Sequence, residues 1–276
     1  MIRTAAISFA ALTVAALALT GPAAAQGAED EGWSVRLGGG ALYAPTYEGD
    51  DESRLSLLPS IEVTYGDDFF ASVQNGAGYR FINTPTLKVG PIGRIAFSRN
   101  ENGEQNFAIS GNDTGDLKGL GDVDTSLEVG GFVKYGLGGL TLSVEARQAT
   151  SGHQGWVADL GASWSGRTLL SGRPLIWSAG PRARLVGDEY SEAYFGVTSA
   201  QSGASGLPVY ASSGGLHSYG LGASLVAPLS RDGRSALVFV AGYDRLTGDA
   251  SDSPLVQLRG SEDQASIGLF LVRHFP

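Results

Sequence analysis

The chain has no cysteine, and its single methionine is residue 1. An exported protein of this composition has no disulfide framework, so its stability must come from backbone hydrogen bonding and packing. Basic residues are also few, because 19 Lys and Arg face 28 Asp and Glu for a net charge of −9. A nucleic-acid partner would require a basic face. Nucleic acid is therefore not expected as a partner.

Long apolar runs are missing beyond the first twenty residues. No later stretch reaches the roughly 18 apolar residues of a transmembrane helix. The mean hydropathy of +0.01 resembles that of a soluble protein. A transmembrane barrel also averages to near zero, because its apolar lipid-facing residues alternate with polar lumen residues. Mean hydropathy therefore does not separate these two classes.

The N-terminus has the features of a secretory signal peptide. Arg3 supplies a positive charge, residues 5–19 form an apolar core that is short for a bilayer, and the small residues 23–25 precede Gln26. A retained membrane anchor is the alternative interpretation. We expect residues 1–25 to be cleaved, residues 26–32 to form a short periplasmic segment, and residues 33–276 to form the folded domain. Loss of Arg3 leaves 18 basic and 28 acidic residues, a charge of −10.

Glycine is abundant, at 41 of 276 residues, and is spread along the chain rather than confined to a linker. Apolar and polar residues alternate with period two after residue 32, which predicts β-strands. In the first run, Trp33, Val35 and Leu37 share one face, and Ser34 and Arg36 share the other. The same alternation recurs in residues 55–65, 87–97, 123–135, 140–147, 175–185, 219–227 and 265–271. One large all-β domain is expected.

Aromatic residues at the ends of the apolar faces favour a membrane barrel over a soluble β-sandwich. Aromatic girdles at both interfaces are typical of barrels in lipid. Runs of 10 to 13 residues also suit tilted strands that cross the bilayer in about 9–11 residues. The aromatic residues are Trp33, Tyr43, Tyr65, Phe97, Tyr135, Trp156, Trp164 and Phe275.

Connections between the predicted strands come in two lengths. Short turns at 66–68, 137–139 and 231–233 contrast with longer polar segments at 99–119, 150–155, 187–214 and 247–260. Outer-membrane barrels have short periplasmic turns and long outer loops. Eleven runs would put the 99–119 loop on the periplasmic side, whereas splitting 69–81 at residues 75–78 gives twelve and restores the rule. We predict a closed antiparallel barrel of about twelve strands in the outer membrane of a Gram-negative bacterium.

Several segments, in order along nearly the whole mature chain, resemble the MltA-interacting protein (MipA/OmpV) family of outer-membrane proteins. One departure is Pro276, which follows Phe275 where a final aromatic residue is usual. The residues that carry the resemblance are Pro45, Tyr47 and Gly49; Gly119, Gly121 and Asp122; His153 and Gly155; Tyr194 to Val197; and Gly248, Asp249, Ser253 and Pro254.

The resemblance implies a non-enzymatic outer-membrane scaffold that brings together a murein lytic transglycosylase and a penicillin-binding synthase, surrounded by lipid and lipopolysaccharide. Other members of the family resemble porins or adhesins, so a small diffusion channel for polar solutes is the alternative. We expect no cofactor.

Catalytic and metal sites are weakly supported by the sequence. The three histidines, His153, His217 and His274, are scattered along the chain. Ser151 is a poor partner for His153 on an extended segment, because a nucleophile and its base must reach each other. A barrel-embedded hydrolase is thus the third and weakest hypothesis, and no metal site is expected. The acidic loop residues are better explained as turn formers that interact with their own backbone.

Charged residues in the middle of the polar strand faces would point into the lumen of a barrel. They could pair and plug it, or they could line a small pore. Twelve strands enclose a lumen wider than that of an eight-stranded barrel and narrower than that of a porin, so both readings stay open. The charges are Arg36, Arg94, Arg147, Arg182 and Arg184 against Glu62, Asp124, Glu128 and Glu145.

Overall fold

The computed structural model describes residues 32–103, 107–110, 114–170 and 172–276. The predicted signal peptide and residues 26–31 lie outside the described residues, so their assignment stays a prediction. The described strands are β1 Trp33–Pro45, β2 Ser53–Tyr65, β3 Phe69–Ser72, β4 Gly76–Tyr79, β5 Ile82–Asn83, β6 Leu87–Ala96, β7 Ala108–Ser110, β8 Ser126–Leu137, β9 Leu140–Ala149, β10 Trp156–Leu170, β11 Arg173–Val186, β12 Gly215–Pro228, β13 Ser235–Leu246 and β14 Asp263–Phe275.

Within the described residues, four short helices lie in the loops between strands. No helix in the described part of the chain is both long and apolar enough to cross a membrane. The helices are α1 Asp188–Phe195, α2 Ser199–Ser205, α3 Gly248–Asp252 and α4 Pro254–Arg259.

Antiparallel pairing of neighbouring strands closes the sheet into a barrel. The ring runs through β2, β3, β4, β6 and β8 to β14, and β1 closes it by pairing with β14 on one side and β2 on the other. Within β1, Arg36 lies opposite both Glu62 of β2 and His274 of β14. With β4 and β5 counted as one interrupted strand and β7 as an addition outside the ring, twelve strands make the wall. The prediction of a closed twelve-stranded antiparallel barrel is confirmed.

The β3–β4 hairpin is much shorter than the strands beside it. It pairs with β2 only over residues 62–65 and with β6 only at residues 92 and 93. Toward the start of β2, away from this hairpin, β7 from the long 97–125 loop pairs with Leu55 and Ser56. The predicted split of 69–81 is thus correct in kind but displaced, because the turn is at residues 73–75, and Gly76 to Gly78 belong to β4.

The outward face of the barrel is apolar, as a lipid-facing wall requires. Leu, Ile and Val side chains are exposed in the middle of the strands, for example Leu269 and Leu271 of β14. Aromatic residues lie toward the strand ends. Of the predicted girdle, Trp33, Tyr43, Tyr65, Tyr135, Trp156, Trp164 and Phe275 are exposed. Phe97 is the exception, because it follows the end of β6 and is half-buried.

The two ends of the barrel differ strongly. One end carries both barrel termini and short turns, such as residues 138–139 between β8 and β9. The other carries the long connections 97–125, 187–214 and 247–262, which contain the predicted polar loops 99–119, 187–214 and 247–260. The second and third of these connections hold the four described helices. By the usual loop-length rule, the short-turn end is periplasmic and the helical end faces outward.

The main apolar cores of the molecule lie in these outer connections rather than inside the wall. One cluster contains Tyr190, Tyr194 and Phe195 of α1, packed with strand-end residues such as Val157 and Val186. A second cluster joins Tyr47 to Leu117, Leu120, Val197, Leu207 and Leu255. Burial of this area stabilises a compact cap, which we call the outer plug and define as residues 46–52, 114–125, 150–155, 187–214 and 247–262.

Candidate functional site

Inward-pointing charges form a connected network inside the barrel. Arg147 lies at its centre and is only 5% exposed. Its Nε donates to Glu128 Oε2 at 2.7 Å and its Nη2 to Asp159 Oδ2 at 2.9 Å, and Nη1 binds Glu145. Arg94 donates to the same Glu145, with 3.1 Å between Nη2 and Oε2.

Strand register explains why these charges meet. Glu145 of β9 lies directly opposite Asp159 of β10, and like charges in such a position repel each other. Arg147 is two residues along β9 and therefore on the same face, within reach of both carboxylates. On the other side of Asp159, Arg184 of β11 is directly opposite and donates from Nε to Oδ1 at 2.9 Å. Each buried carboxylate thus has a guanidinium partner, which buried charges require.

Glu48, in the loop between β1 and β2, joins the network to the outer plug. Its Oε1 is 2.9 Å from His217 Nε2 and 4.0 Å from Arg184 Nη1, and its Oε2 accepts the Tyr190 hydroxyl at 2.9 Å. Burial alone would raise the pKa of Glu48, but His217, Arg184 and the Tyr190 hydrogen bond outweigh it and lower the pKa to about 2. Glu48 is therefore a carboxylate at neutral pH.

Arg36 and Arg182, two of the predicted lumen charges, form ion pairs apart from this network. Arg36 Nη1 donates to Glu62 Oε1 at 2.9 Å across the β1–β2 pair. Arg182 Nε donates to Asp244 Oδ1 at 2.7 Å, across the intervening Gly220 of β12. Asp124 was expected to point into the lumen, and this is wrong. It precedes β8, which begins at Ser126, and is exposed.

Helix α1 closes the outer end of the barrel with an aromatic stack. The rings of Tyr190 and Tyr194 are 4.7 Å apart, His153 is 4.9 Å from Tyr190, and His217 is 5.3 Å from Phe195. Burial and the charge of Glu48 raise the pKa of Tyr190 well above its usual range, so its hydroxyl stays protonated as a donor. The helix is therefore held both by packing and by its bond to the charged network.

The C-terminus of α1 is anchored from the 97–125 loop. Arg99 Nη1 donates to the Tyr194 carbonyl oxygen at 2.6 Å, and Nη2 to the Ala193 carbonyl oxygen at 3.3 Å. A cation is favourable there, because the last carbonyls of a helix are unpaired and carry partial negative charge. Burial lowers the pKa of Arg99, and the neighbouring tyrosines and Asp122 oppose that shift.

The first group of family-like residues builds the contact between the β1–β2 loop and α4. Pro45 ends β1, and the Tyr47 hydroxyl donates to the Arg259 carbonyl oxygen at 3.3 Å. Gly49 has a φ of +100°, and a Cβ there would meet Val256 Cγ2 at 2.9 Å. Burial raises the pKa of the adjacent Asp50 to about 6, although Thr46 and the Glu52 amide donate to it. Position 49 therefore has almost no room for a larger side chain.

The second group forms a tight turn against α2. Gly119 has a φ of +85°, and a Cβ there would lie 2.7 Å from the Ala204 backbone. Gly121 also has a positive φ, +74°, but nothing lies near it. The amides of both glycines donate to Glu101 Oε2, and the Glu101 amide donates to Asp122 Oδ1.

The remaining family-like residues also hold the plug together. His153 bonds Glu128, and a Cβ on Gly155 would meet the Tyr190 amide nitrogen at 2.4 Å. Asp249 accepts the Ser213 amide at 2.7 Å after Gly248, which has a φ of +58°. Ser253 is fully buried, donates to the Phe195 carbonyl oxygen at 2.6 Å and caps α4, whose first residue is Pro254.

The histidines have structural surroundings. His153 Nδ1 accepts the Gly155 amide at 3.2 Å, so Nε2 is the nitrogen that donates to Glu128 at 3.0 Å. His217 bonds Glu48. His274 does approach a serine, with 2.7 Å between Nε2 and Ser34 Oγ at the periplasmic end. Among the described residues, no carboxylate or amide bonds its other ring nitrogen, as the orienting member of a catalytic triad would.

A cavity of about 470 Å³ lies beneath the plug. It extends from Tyr47 and Glu48 to Pro85 and Gly138 at the periplasmic turns. Its wall includes the paired charges described above, a band of serine and threonine hydroxyls, and Lys88 and Lys134. The volume is in the range of pockets that hold small organic molecules.

Four of these residues were missed or undervalued by the sequence analysis. Glu48 is one of the acidic loop residues that were interpreted as turn formers, and Asp159 was not recognised because strand β10 contains no clear alternation around it. Lys88 and Lys134 lie in the alternating runs 87–97 and 123–135 but were not singled out. Their position opposite each other depends on the β6–β8 register, and the long intervening loop hides this register in the sequence.

Among solved structures, the chain is similar to the outer membrane protein OprD from Pseudomonas aeruginosa (14% identity, 90% of this chain, 66% of that chain, TM-score 0.37). It thus spans just under two thirds of that protein. It is also similar to an outer membrane channel from Pseudomonas putida F1 (14% identity, 88% of this chain, 94% of that chain, TM-score 0.41). A third similar structure is an anion-selective porin from Comamonas acidovorans (10% identity, 88% of this chain, 98% of that chain, TM-score 0.29).

No curated protein matches the chain. The family model described as MltA-interacting protein MipA matches residues 37–275, which include nearly all of the barrel and its plug. Together with the closed twelve-stranded wall and its apolar outer face, this match shows that the chain is an outer-membrane barrel that belongs to the MltA-interacting protein MipA family.

Proposed function

We propose that the protein is a non-enzymatic, closed barrel that serves as an outer-membrane scaffold for murein-remodelling enzymes. The observation that carries the proposal is the outer plug, whose apolar clusters and buried charges fill the outer end of the lumen. A lumen filled in this way would give solutes no open path. The short turns and rim of the barrel remain free to contact periplasmic proteins, and lipid and lipopolysaccharide surround the apolar face.

The family description supports the identity of the partners. The family is named for its interaction with MltA, a murein transglycosylase. For this chain, a lytic transglycosylase and a penicillin-binding synthase are the proposed partners, and they would dock on periplasmic turns or on residues 26–32. The exposed turn that contains Asp232 is one such surface.

Site-specific photo-crosslinking in cells tests this proposal. A photoreactive amino acid at Asp232 in the periplasmic turn is expected to give an adduct with a transglycosylase or a penicillin-binding protein, identified by mass spectrometry. The matched control carries the same amino acid at Lys118, which is exposed in the outer plug. Adducts with neither enzyme class at Asp232 or at a second periplasmic position, Gly138, would refute the scaffold.

A small diffusion channel is the second candidate, favoured by the cavity of about 470 Å³ beneath the plug. In this alternative the plug would have to move aside as a unit. Single-channel recording of the refolded protein distinguishes the two candidates, because a scaffold with a closed plug gives no stable conductance.

A further inference from the structure

Two lysines stand out inside the lumen because neither has an ion-pair partner among the described residues, although the Lys134 ammonium lies 5.9 Å from the centre of the Phe132 ring. Lys88 of β6 and Lys134 of β8 are directly opposite each other in register, and both line the cavity. The chain has only three lysines, the third being Lys118 in the plug. Neither Lys88 nor Lys134 forms a hydrogen bond or an ion pair with any residue that the structure describes. Directly opposed like charges destabilise a strand pair, and no ion pair among the described residues offsets this loss of stability.

Neither of the carboxylates that act on these lysines forms an ion pair with them in the described structure. Glu145 acts electrostatically on Lys134, but it is already bonded to Arg94 and Arg147. Asp67 in the β2–β3 turn acts on Lys88 without forming an ion pair with it. The buried network thus uses its negative charge on its own guanidinium groups, and the two ammonium groups are left without an ion pair among the described residues.

The surroundings of the two lysines reinforce the positive charge. Arg80 and Arg94 both add to the positive potential at Lys134. The Arg80 guanidinium lies over the Phe70 ring at 4.6 Å, and that ring packs against Phe132 at 5.8 Å. Next to Lys134 in register, Ser143 of β9 provides a hydroxyl on the same cavity wall. Cationic, hydroxyl and aromatic groups are therefore placed together at one wall.

We propose that the periplasmic part of the lumen binds a small organic anion whose phosphate or carboxylate group is held between Lys88 and Lys134. Ammonium groups form charge-assisted hydrogen bonds with both kinds of anion. A cavity of about 470 Å³ also leaves room for the body of a sugar-sized molecule beside the anionic group. The ligand would enter from the periplasmic turns, because the outer plug closes the other end. The site is independent of any partner enzyme, so its test and the crosslinking test can fail separately.

Amine labelling gives the first test, on the full-length barrel in detergent micelles. Glucose 6-phosphate and glucuronate serve as phosphate and carboxylate probes of similar size, and glucose is their neutral counterpart. Peptide mass spectrometry then follows acetylation of each lysine. Either anion is expected to slow labelling of Lys88 and Lys134, whereas glucose has no effect and Lys118 reacts at an unchanged rate. The anion that protects better identifies the preferred group.

Calorimetric titration of variants gives the second test. K134Q and K88Q are each expected to weaken binding of the protective anion about tenfold, the size of one charge-assisted hydrogen bond. K88R/K134R should retain binding, and K118Q is the matched control. Heat-modifiable migration on a detergent gel verifies that each variant is folded. Absence of protection by both anions, equal protection by glucose, or unchanged affinity in folded K88Q/K134Q would overturn the proposal.

Discussion

At the scale of single residues, Glu48 connects more parts of the molecule than any sequence motif suggested. One carboxylate bonds a strand histidine, a helix tyrosine and, at longer range, a strand arginine. Because these partners belong to the wall and to the plug, loss of the charge should loosen their connection. Removing one member of a buried ion pair lowers the free energy of unfolding by more than the intact pair contributes, because it leaves the other charge buried without a partner.

We predict that E48Q lowers the free energy of unfolding by about 3 kcal/mol at neutral pH, because Arg184 and His217 lose a charged partner. The folded pKa of about 2 lies below the usual value of 4.5, so the Glu48 contribution is complete above about pH 5 and is lost as the pH falls toward 2. Urea unfolding followed by tryptophan fluorescence at several pH values measures both effects.

The matched control for this prediction is E52Q, since Glu52 lies in the same loop and is exposed. It should change stability by less than about 0.5 kcal/mol. Equal stabilities of E48Q and E52Q, or a difference from the wild type that persists undiminished at pH 3, would contradict the assigned role of Glu48.

At the scale of elements, the strands were predictable and the plug was not. Apolar and polar residues alternate in runs such as 33–43 and 265–271, as expected for strands with lipid on one side and the lumen on the other. The helices are short, at five to eight residues, and their stability comes from packing against other loops rather than from an apolar stripe of their own. Residues such as Tyr190 and Leu255 therefore gave no periodic signal.

For the residues of the site, strand periodicity was enough to predict which face of the sheet they occupy, but not which partners they bind. Arg147, Glu128 and Glu145 were placed on the inner face because each lies in an alternating run. Their pairing could not be derived, since it depends on the register between strands. Asp124 shows where periodicity misleads, because the alternation in the sequence starts at residue 123, whereas β8 begins only at Ser126.

Two glycines offer a matched test of how tightly the plug is packed. Gly119 and Gly121 both have a positive φ, but only Gly119 lies against the α2 backbone. We expect G121A to cost about 1 kcal/mol for the left-handed conformation. G119A should cost at least about 2 kcal/mol, because the added methyl group must also displace α2. Thermal melts compare the variants, and equal losses would show that α2 does not pack against this turn in solution.

At the scale of the whole molecule, the closed wall and the plug enclose a cavity that reaches the short turns at the periplasmic end. The lumen would be continuous if the plug were absent, because twelve strands enclose more space than side chains alone fill. The charge of the wall below the plug would then control which ions pass. Lys88 and Lys134 lie on that wall.

We predict that the wild-type barrel gives no stable single-channel conductance in planar bilayers, whereas replacement of residues 188–214 by a short Gly-Ser linker opens a small conductance. The current should prefer anions, because the two unpaired ammonium groups remain in the path while the carboxylates stay paired. Adding K88Q/K134Q to the linker variant should abolish that preference without closing the pore, and reversal potentials in a salt gradient measure it. Heat-modifiable migration confirms that the shortened barrel is folded. A conducting wild type would instead support the channel, and a silent but folded linker variant would show that groups other than residues 188–214 also block the lumen.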